Sequence, residues 1–265
     1  MAITNLSQLI AAFPTKQVFF PVKYGTSNQA IAGTWNSSWR MTGSNLADMP
    51  DTGSGEAHDG TTLGRLMLQN AQSGKQLYLS RFIFSPTVIV GCYMMDRLVS
   101  NSGLSGTATG VQTINSVALP ARAGTGVGCE LWIEWYASTG STARTLTVIY
   151  TNSDGTTGRT TSISVAASFK LTGCMRVPLQ AGDKGIRSVQ SVQWNGSTGT
   201  AGNFGITICQ RIATIDNSLA NSMTSMGPIR ANLPEVSNDS CIYFILNSLS
   251  TTSASFDIEV TFIEG

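Results

Sequence analysis

A chain of 265 residues is long enough to bury roughly 70 to 75% of its unfolded surface, which suffices for one large or two small domains. Only 12% of the residues are charged, and 16 Lys and Arg against 15 Asp and Glu leave a net charge of +1; without a basic run, counterion release from phosphates supplies little binding energy, which argues against nucleic acid as a partner. The longest apolar run, Cys241 to Leu246, falls far short of the ~18 to 20 residues of a membrane-spanning helix, so the chain is expected to be soluble, with no membrane partner and a surface of Ser, Thr, Gly and Asn.

In chain order, residues 5–13 predict a short helix. Asn5 and Gln8 stand at capping-box spacing, Leu6, Leu9, Ile10 and Phe13 share one face, and Pro14 is the stop. About nine residues make a marginal helix, so this face needs a partner surface, either the chain's own sheets or a neighbouring subunit. The same segment lacks a basic start and a continuous apolar stretch, because Asn5, Ser7 and Gln8 interrupt it. That predicts no signal peptide and folding in a reducing cytosol. From Lys16 to Gly64 the pattern is irregular: Val18, Phe19 and Phe20, then Trp35 and Trp39, then a Gly, Asp and Ser-rich loop from Thr42 to Gly60. We read an extended arm with a flexible loop, and place the domain division as 1–64 for helix and arm and 65–265 for a β-sandwich.

From Gln76 onward strand signals recur: Leu77 to Phe84, Thr87 to Met95, Val127 to Tyr136, Thr145 to Thr151, Thr160 to Val165, Ile186 to Trp194, Phe204 to Cys209, Cys241 to Asn247 and Ser255 to Ile263. The stretch from Gly126 to Val165 is a clear antiparallel meander. In it Val127, Cys129, Leu131, Ile133 and Trp135 alternate with other residues, Leu146, Val148 and Tyr150 resume the alternation, and the turn at Asn152-Ser153-Asp154-Gly155 sends the chain back through Ile163 and Val165. In the last strand Phe256, Ile258, Val260 and Phe262 face one way and Asp257, Glu259 and Thr261 the other. Short strands separated by turns, with no fixed repeat, predict an all-β antiparallel sandwich of jelly-roll type with a short N-terminal helix and arm.

Motifs for chemistry are sparse. The single histidine, His58, lies in the Gly and Asp-rich loop and is expected to be solvated rather than a general base. Glu130 and Glu134 flank Trp132 on one strand face, but four residues of strand span about 13 Å, beyond the ~5 to 9.5 Å of paired glycosidase carboxylates. Trp132 is then a candidate sugar platform or, preferably, an aromatic at a subunit contact. Gly124, Gly126 and Gly128 precede a strand rather than a helix and read as turn glycines, and Gly74-Lys75 lacks the rest of a phosphate loop. The Asp48 to Asp59 loop and Asp183 fit turns better than a calcium motif. Five cysteines, Cys92, Cys129, Cys174, Cys209 and Cys241, cannot all pair and sit among apolar residues. Buried thiols are expected, with a disulfide framework as the alternative. Catalytic residues, cofactors and metal ligands are therefore all read as none.

The segments Ala118-Leu119-Pro120-Ala121-Arg122, Glu130-Leu131-Trp132-Ile133-Glu134, Tyr150-Thr151-Asn152, Ala181 to Val192 and Ser197 to Gly205, with Ala32-Gly33-Thr34-Trp35, Trp39-Arg40 and Asp96-Arg97-Leu98, resemble a group of tailed-bacteriophage virion structural proteins. The resemblance covers most of the chain. It implies a component of the phage particle, most of all a capsid decoration or auxiliary head protein, localised to the virion. The implied partners are the major capsid protein and neighbouring virion subunits, with a homotrimer as the expected oligomer. Aromatic anchors dominate such contacts, so Phe19, Phe20, Trp35, Trp39 and Trp132 are the candidate inter-subunit residues. The alternatives are a tail or fibre module binding host polysaccharide through Trp132 and, least favoured, a hydrolase using His58.

Overall fold

The computed structural model describes residues 3–19, 22–24, 34–40, 55–62, 64–115, 117–199, 202–248 and 255–265. In chain order they form α1 (Leu6–Ala12), β1 (Gln17–Phe19), β2 (Val22–Tyr24), β3 (Thr34–Ser37), β4 (Glu56–Ala57), β5 (Leu77–Pro86), β6 (Val90–Leu104), β7 (Gln112–Thr113), β8 (Cys129–Trp135), β9 (Arg144–Asn152) and β10 (Arg159–Val165). There follow β11 (Gly173–Val177), β12 (Ile186–Trp194), β13 (Phe204–Asn217), β14 (Thr224–Met226), α2 (Pro228–Ala231), β15 (Glu235–Val236), β16 (Ile242–Ser248) and β17 (Ser255–Glu264). The pairings between these strands are antiparallel, as the sequence predicts. No helix of the described residues is long and apolar enough to cross a membrane.

Two of the three sheets are open. One runs β1-β17-β5-β14, with β2 also on β17 and β15 on β5; the other runs β10-β9-β12-β7. In the third, the order β13-β8-β11-β3-β16-β6 is closed by a β13–β6 pairing, and β4 adds to β6. Six strands therefore make a ring, and each has one face inward and one outward. Period-two alternation sorts the residues without exception on β8: Cys129, Leu131, Ile133 and Trp135 join the apolar layer shared with the β10-β9-β12-β7 sheet, while Trp132 joins the cluster inside the ring. The same rule sends Ile242, Phe244 and Leu246 of β16 to the layer under the β17-β5 sheet and Tyr243 and Ile245 inward. The sandwich-like layering is thus a ring flanked by two sheets. A ring of six strands is smaller than the eight-stranded barrels whose lumen side chains just fill, which is why large rings such as Trp132 and Tyr243 suffice to close it.

Long strands let one element serve both layers. β6 sends Val90, Cys92 and Met94 to one flanking sheet and Leu98, Val99 and Leu104 to the other. The change of parity coincides with bulges in the β6–β13 pairing, where an extra residue re-aims the side chains. The predicted strand at Thr87 to Met95 thus extends to Leu104, that at Phe204 extends to Asn217, and β11 is an additional strand. β11 escapes the pattern because its five residues, Gly-Cys-Met-Arg-Val, show no apolar–polar alternation.

The described strands at the start of the N-terminal segment belong to the sheets. β1 and β2 pair with β17, and β3 sits between β11 and β16 in the ring. The expected helix is present and capped by Asn5, whose side-chain oxygen accepts from the Gln8 N–H at 3.0 Å, while Gln8 Oε1 accepts from the Thr4 N–H at 2.7 Å. β17 follows the predicted pattern: Phe256, Ile258, Val260 and Phe262 all enter one core layer. Turn glycines are confirmed at Gly126, where φ is 84° and an added Cβ would meet the Ile186 carbonyl oxygen at 2.2 Å.

Candidate functional site

Of the aromatics singled out from the sequence, Trp132 has 0% exposure and Trp39 is buried beside it in the ring cluster. Trp35 is half-buried against the same cluster, 4.4 Å from the Tyr93 ring and 5.6 Å from Trp132. Phe19 is half-buried edge-on to Phe262 at 6.0 Å, and Phe20 lies outside the described residues. The expectation that Trp39 and Trp132 anchor a neighbouring subunit is corrected: both rings are enclosed by their own chain. Trp132 also leaves no face for a sugar. The sequence suggests exposure because β8 reads as half-polar, but its Glu-x-Trp-x-Glu face lines a closed ring.

That face carries a buried ion pair. Glu134 accepts from Arg97 through both oxygens, at 3.0 Å from Nη1 and 2.8 Å from Nη2, and from Ser37 Oγ at 2.7 Å and Thr207 Oγ1 at 3.0 Å. Both partners of the pair are inaccessible, at 1% and 0% exposure. Burial pushes the Glu134 carboxyl up, but the Arg97 charge and these hydrogen bonds outweigh it and hold it below its ordinary range. Arg97 also lies over the Trp39 ring at 4.4 Å and the Tyr243 ring at 5.4 Å. Further along β8, Glu130 accepts from Trp132 Nε1 at 3.0 Å and Arg211 at 2.7 Å, with Arg176 at 3.4 Å. The two carboxylates are thus both held by arginines. No sequence motif marks the Arg97 and Glu134 pair; only closure of the ring brings them together.

His58 is corrected as well. It is 2% exposed rather than solvated. Its Nε2 is 2.7 Å from Ser100 Oγ, and its ring stands edge-on to Trp39 at 5.4 Å. Burial first, then the charges of Arg97 and Arg122, push its pKa down to about 2. Asp183, considered for calcium, instead accepts from Tyr150, Asn152 and Arg159. All five cysteines are free and buried, and burial pushes Cys129 and Cys241 up to about 12, away from thiolate chemistry.

The exterior feature that stands apart is α1. Leu9 and Ala12 are buried against Tyr78 and Ile263, with Ile3 and Leu233 at the margin. The other half of its apolar stripe points outward: Leu6 is 66% exposed, Ile10 61% and Phe13 43%. These three lie at i, i+4 and i+7, one ridge on the helix, and α1 carries no charged residue. Beside it, a cavity of about 490 Å³ is lined by Ile3, Thr4, Leu9, Tyr78, Leu233, Glu235 and the start of α2, where Ile229 is 92% exposed. The sequence shows the wide stripe of α1 but not which half the sheets would take.

No family model and no curated protein matches the chain. The solved structures similar to it include the infectious bursal disease virus VP2 subviral particle, at 8% identity over 94% of this chain and 80% of that chain, with a TM-score of 0.22. The infectious bursal disease virus Gx strain matches at 9% identity over the same 94% and 80%, with a TM-score of 0.21. The T=1 particles derived from that virus match at 9% identity, 94% and 78%, with a TM-score of 0.19. At such scores the folds do not correspond element by element, and no residue's role is carried across.

Proposed function

We propose that this chain is a virion structural protein that binds a capsid lattice from outside and holds it through the uncovered half of α1. The observation that carries the reading is the Leu6, Ile10 and Phe13 ridge: three large apolar side chains left to water by a helix whose other half is docked. Fully burying such a side chain is worth ~1.5 to 3 kcal/mol. One ridge makes a modest contact, but repetition over a symmetric lattice multiplies it through effective concentration. A trimer at local threefold positions, with the major capsid protein as partner, is the assembly this reading expects.

Three further features support it. The sequence segments quoted above resemble phage virion proteins. The surface is poor in charge, with a net +1, which suits an outer position better than contact with packaged genome. Arg97 and Glu134 are committed to each other inside the ring, and His58 is buried against Ser100.

Incorporation tests the reading. The full chain, or a variant carrying Leu6→Ser, Ile10→Ser and Phe13→Ser, is supplied while particles form, and particles are purified on a density gradient. Wild-type chain bound in lattice stoichiometry, with the variant left in the soluble fraction, is the expected result. Particles lacking the wild-type chain, or retaining the variant equally, would overturn it.

A further inference from the structure

Strand β16 accompanies β6 only as far as Asp96, and β4 takes its place at Val99 and Ser100. This replacement is slight: β4 is two residues long, and both Glu56 and Ala57 are exposed. What fastens it is the residue that follows. The His58 N–H donates to the Leu98 carbonyl at 2.9 Å, Nε2 meets Ser100 Oγ at 2.7 Å, and the His58 carbonyl accepts from Arg122 Nη2 at 2.9 Å. The ring is sealed under Trp39, and Nδ1 is buried with no hydrogen-bond partner among the described residues.

Every element packed around this imidazole is unsuited to a proton. Arg97 of β6 and Arg122, from the turn at Ala121–Ala123, face it as cations. Their carboxylates are already engaged. Both Glu134 oxygens hold Arg97, and Asp96 holds Arg122 at 2.8 and 3.0 Å while also accepting from Ser240 Oγ and the Cys241 N–H. Of the remaining acids, Asp59 turns back on Thr61 and Thr62, and Asp239 stands behind Gly60 on the neighbouring loop. An imidazolium here would be a third cation, offset only by the more distant charge of Asp59, and its second N–H would have no acceptor among the described residues.

We propose that His58 is an acid-released latch: neutral, it holds residues 55–62 against β6, and on gaining a proton it leaves with that segment while the six-stranded ring stays closed. The ring can stay closed because its circuit of pairings, β13-β8-β11-β3-β16-β6 and back, does not pass through β4. Release would bare Trp39 and the β4-paired edge of β6 at Val99 and Ser100. This inference is independent of the capsid reading and of α1.

Because the chain has one histidine, its ring can be followed without ambiguity by NMR in the full-length protein from pH 7.5 to 4.5. Hydrogen exchange is read alongside at two amides, His58 and Arg97, whose N–H donates to Cys241 at 2.9 Å inside the ring wall. With exchange corrected for its intrinsic pH dependence, the open population at His58 is expected to rise tenfold per pH unit below about 6.5, because the released ring regains its ordinary affinity for protons. Arg97 should stay protected over the same range. His58→Asn keeps a donor for Ser100 but cannot titrate, so its profile should be flat.

Three results would overturn the latch. They are a His58 ring that titrates near 6.5 with its amide still protected, a His58→Asn variant with the wild-type slope, and His58 and Arg97 amides that open together. If His58→Asn does not fold, Ser100→Ala replaces it. That variant weakens the hold and should raise the open population at His58 at every pH while keeping the tenfold slope below about 6.5, and an unchanged open population would count against the proposal.

Discussion

Inside the ring, Arg97 and Glu134 sit beyond the reach of water with both carboxylate oxygens occupied, whereas on α1, Leu6 and Ile10 stand open to it. The usual distribution of polarity is inverted in both places. The interior pair is satisfied within the chain, through partners on β3, β6 and β13 that must be in register for the bonds to form. Among the described residues nothing covers the helix ridge. A buried polar network answers to the fold that encloses it, and on the proposed reading an uncovered apolar ridge answers to a partner outside. The contrast predicts that lesions in the first region will cost stability and lesions in the second will cost association.

The largest effect belongs to the sheet that carries the helix. β17 lies between β5 and the β1 and β2 strands, and its Phe256, Ile258, Val260 and Phe262 fill one core layer. Deleting residues 255–265 is therefore expected to abolish cooperative folding, read as loss of a thermal transition by calorimetry. Next comes the ring interior. Glu134→Ala leaves Arg97 buried without its partner and should cost about 3 to 5 kcal/mol in urea unfolding. The paired change Arg97→Met with Glu134→Leu should recover most of that loss, since the cost lies in the orphaned charge. A Glu134→Ala loss below about 1 kcal/mol would show that the pair does not govern the ring.

Graded, and smaller over any one pH unit, is the response to acid. His58 is held neutral in the fold, with its pKa pushed from an ordinary 6.5 down to about 2, so the unfolded chain takes up the proton first. Stability is then full above about pH 6.5 and falls below it by up to ~1.4 kcal/mol per unit. Glu134 adds its own loss further down, below the ordinary 4.5 of a glutamate, because its folded carboxyl is held lower than that. The pH dependence of urea unfolding in wild type and His58→Asn separates the two. Smallest of all, each serine substitution at Leu6, Ile10 or Phe13 should change stability by less than about 0.5 kcal/mol, as exposed positions do. If these serines cost as much as Glu134→Ala, the ridge is core and the comparison collapses.

Much of the fold was legible in order. The Asn5 cap, the stripe of α1, the alternation of β8, β9 and β17 and the turn glycine at Gly126 all appear where local patterning puts them. The candidate site was read less well, for one reason. Alternation on β8 suggests one wet face and one dry face, yet every residue from Cys129 to Trp135 is buried. Trp132 and Trp39 looked like contact residues, and His58 like a loop residue, because each stands among polar neighbours in sequence. Trp132 does bond its neighbour Glu130, but the rings of Trp39 and His58 take partners far away in sequence, Arg97 and Tyr243 for the first and Ser100 for the second.

The amino-acid sequence by itself determined the strand period, the helix with its cap and the low surface charge, since each depends on residues within a few positions of one another. Only the tertiary structure decided which face of each strand would line the ring and which half of α1 would be left bare. Those choices rest on contacts such as Ser37 with Glu134, 97 residues apart, and Ser38 with Phe244, 206 apart. Period two divides a strand into two faces but is blind to what closes over them.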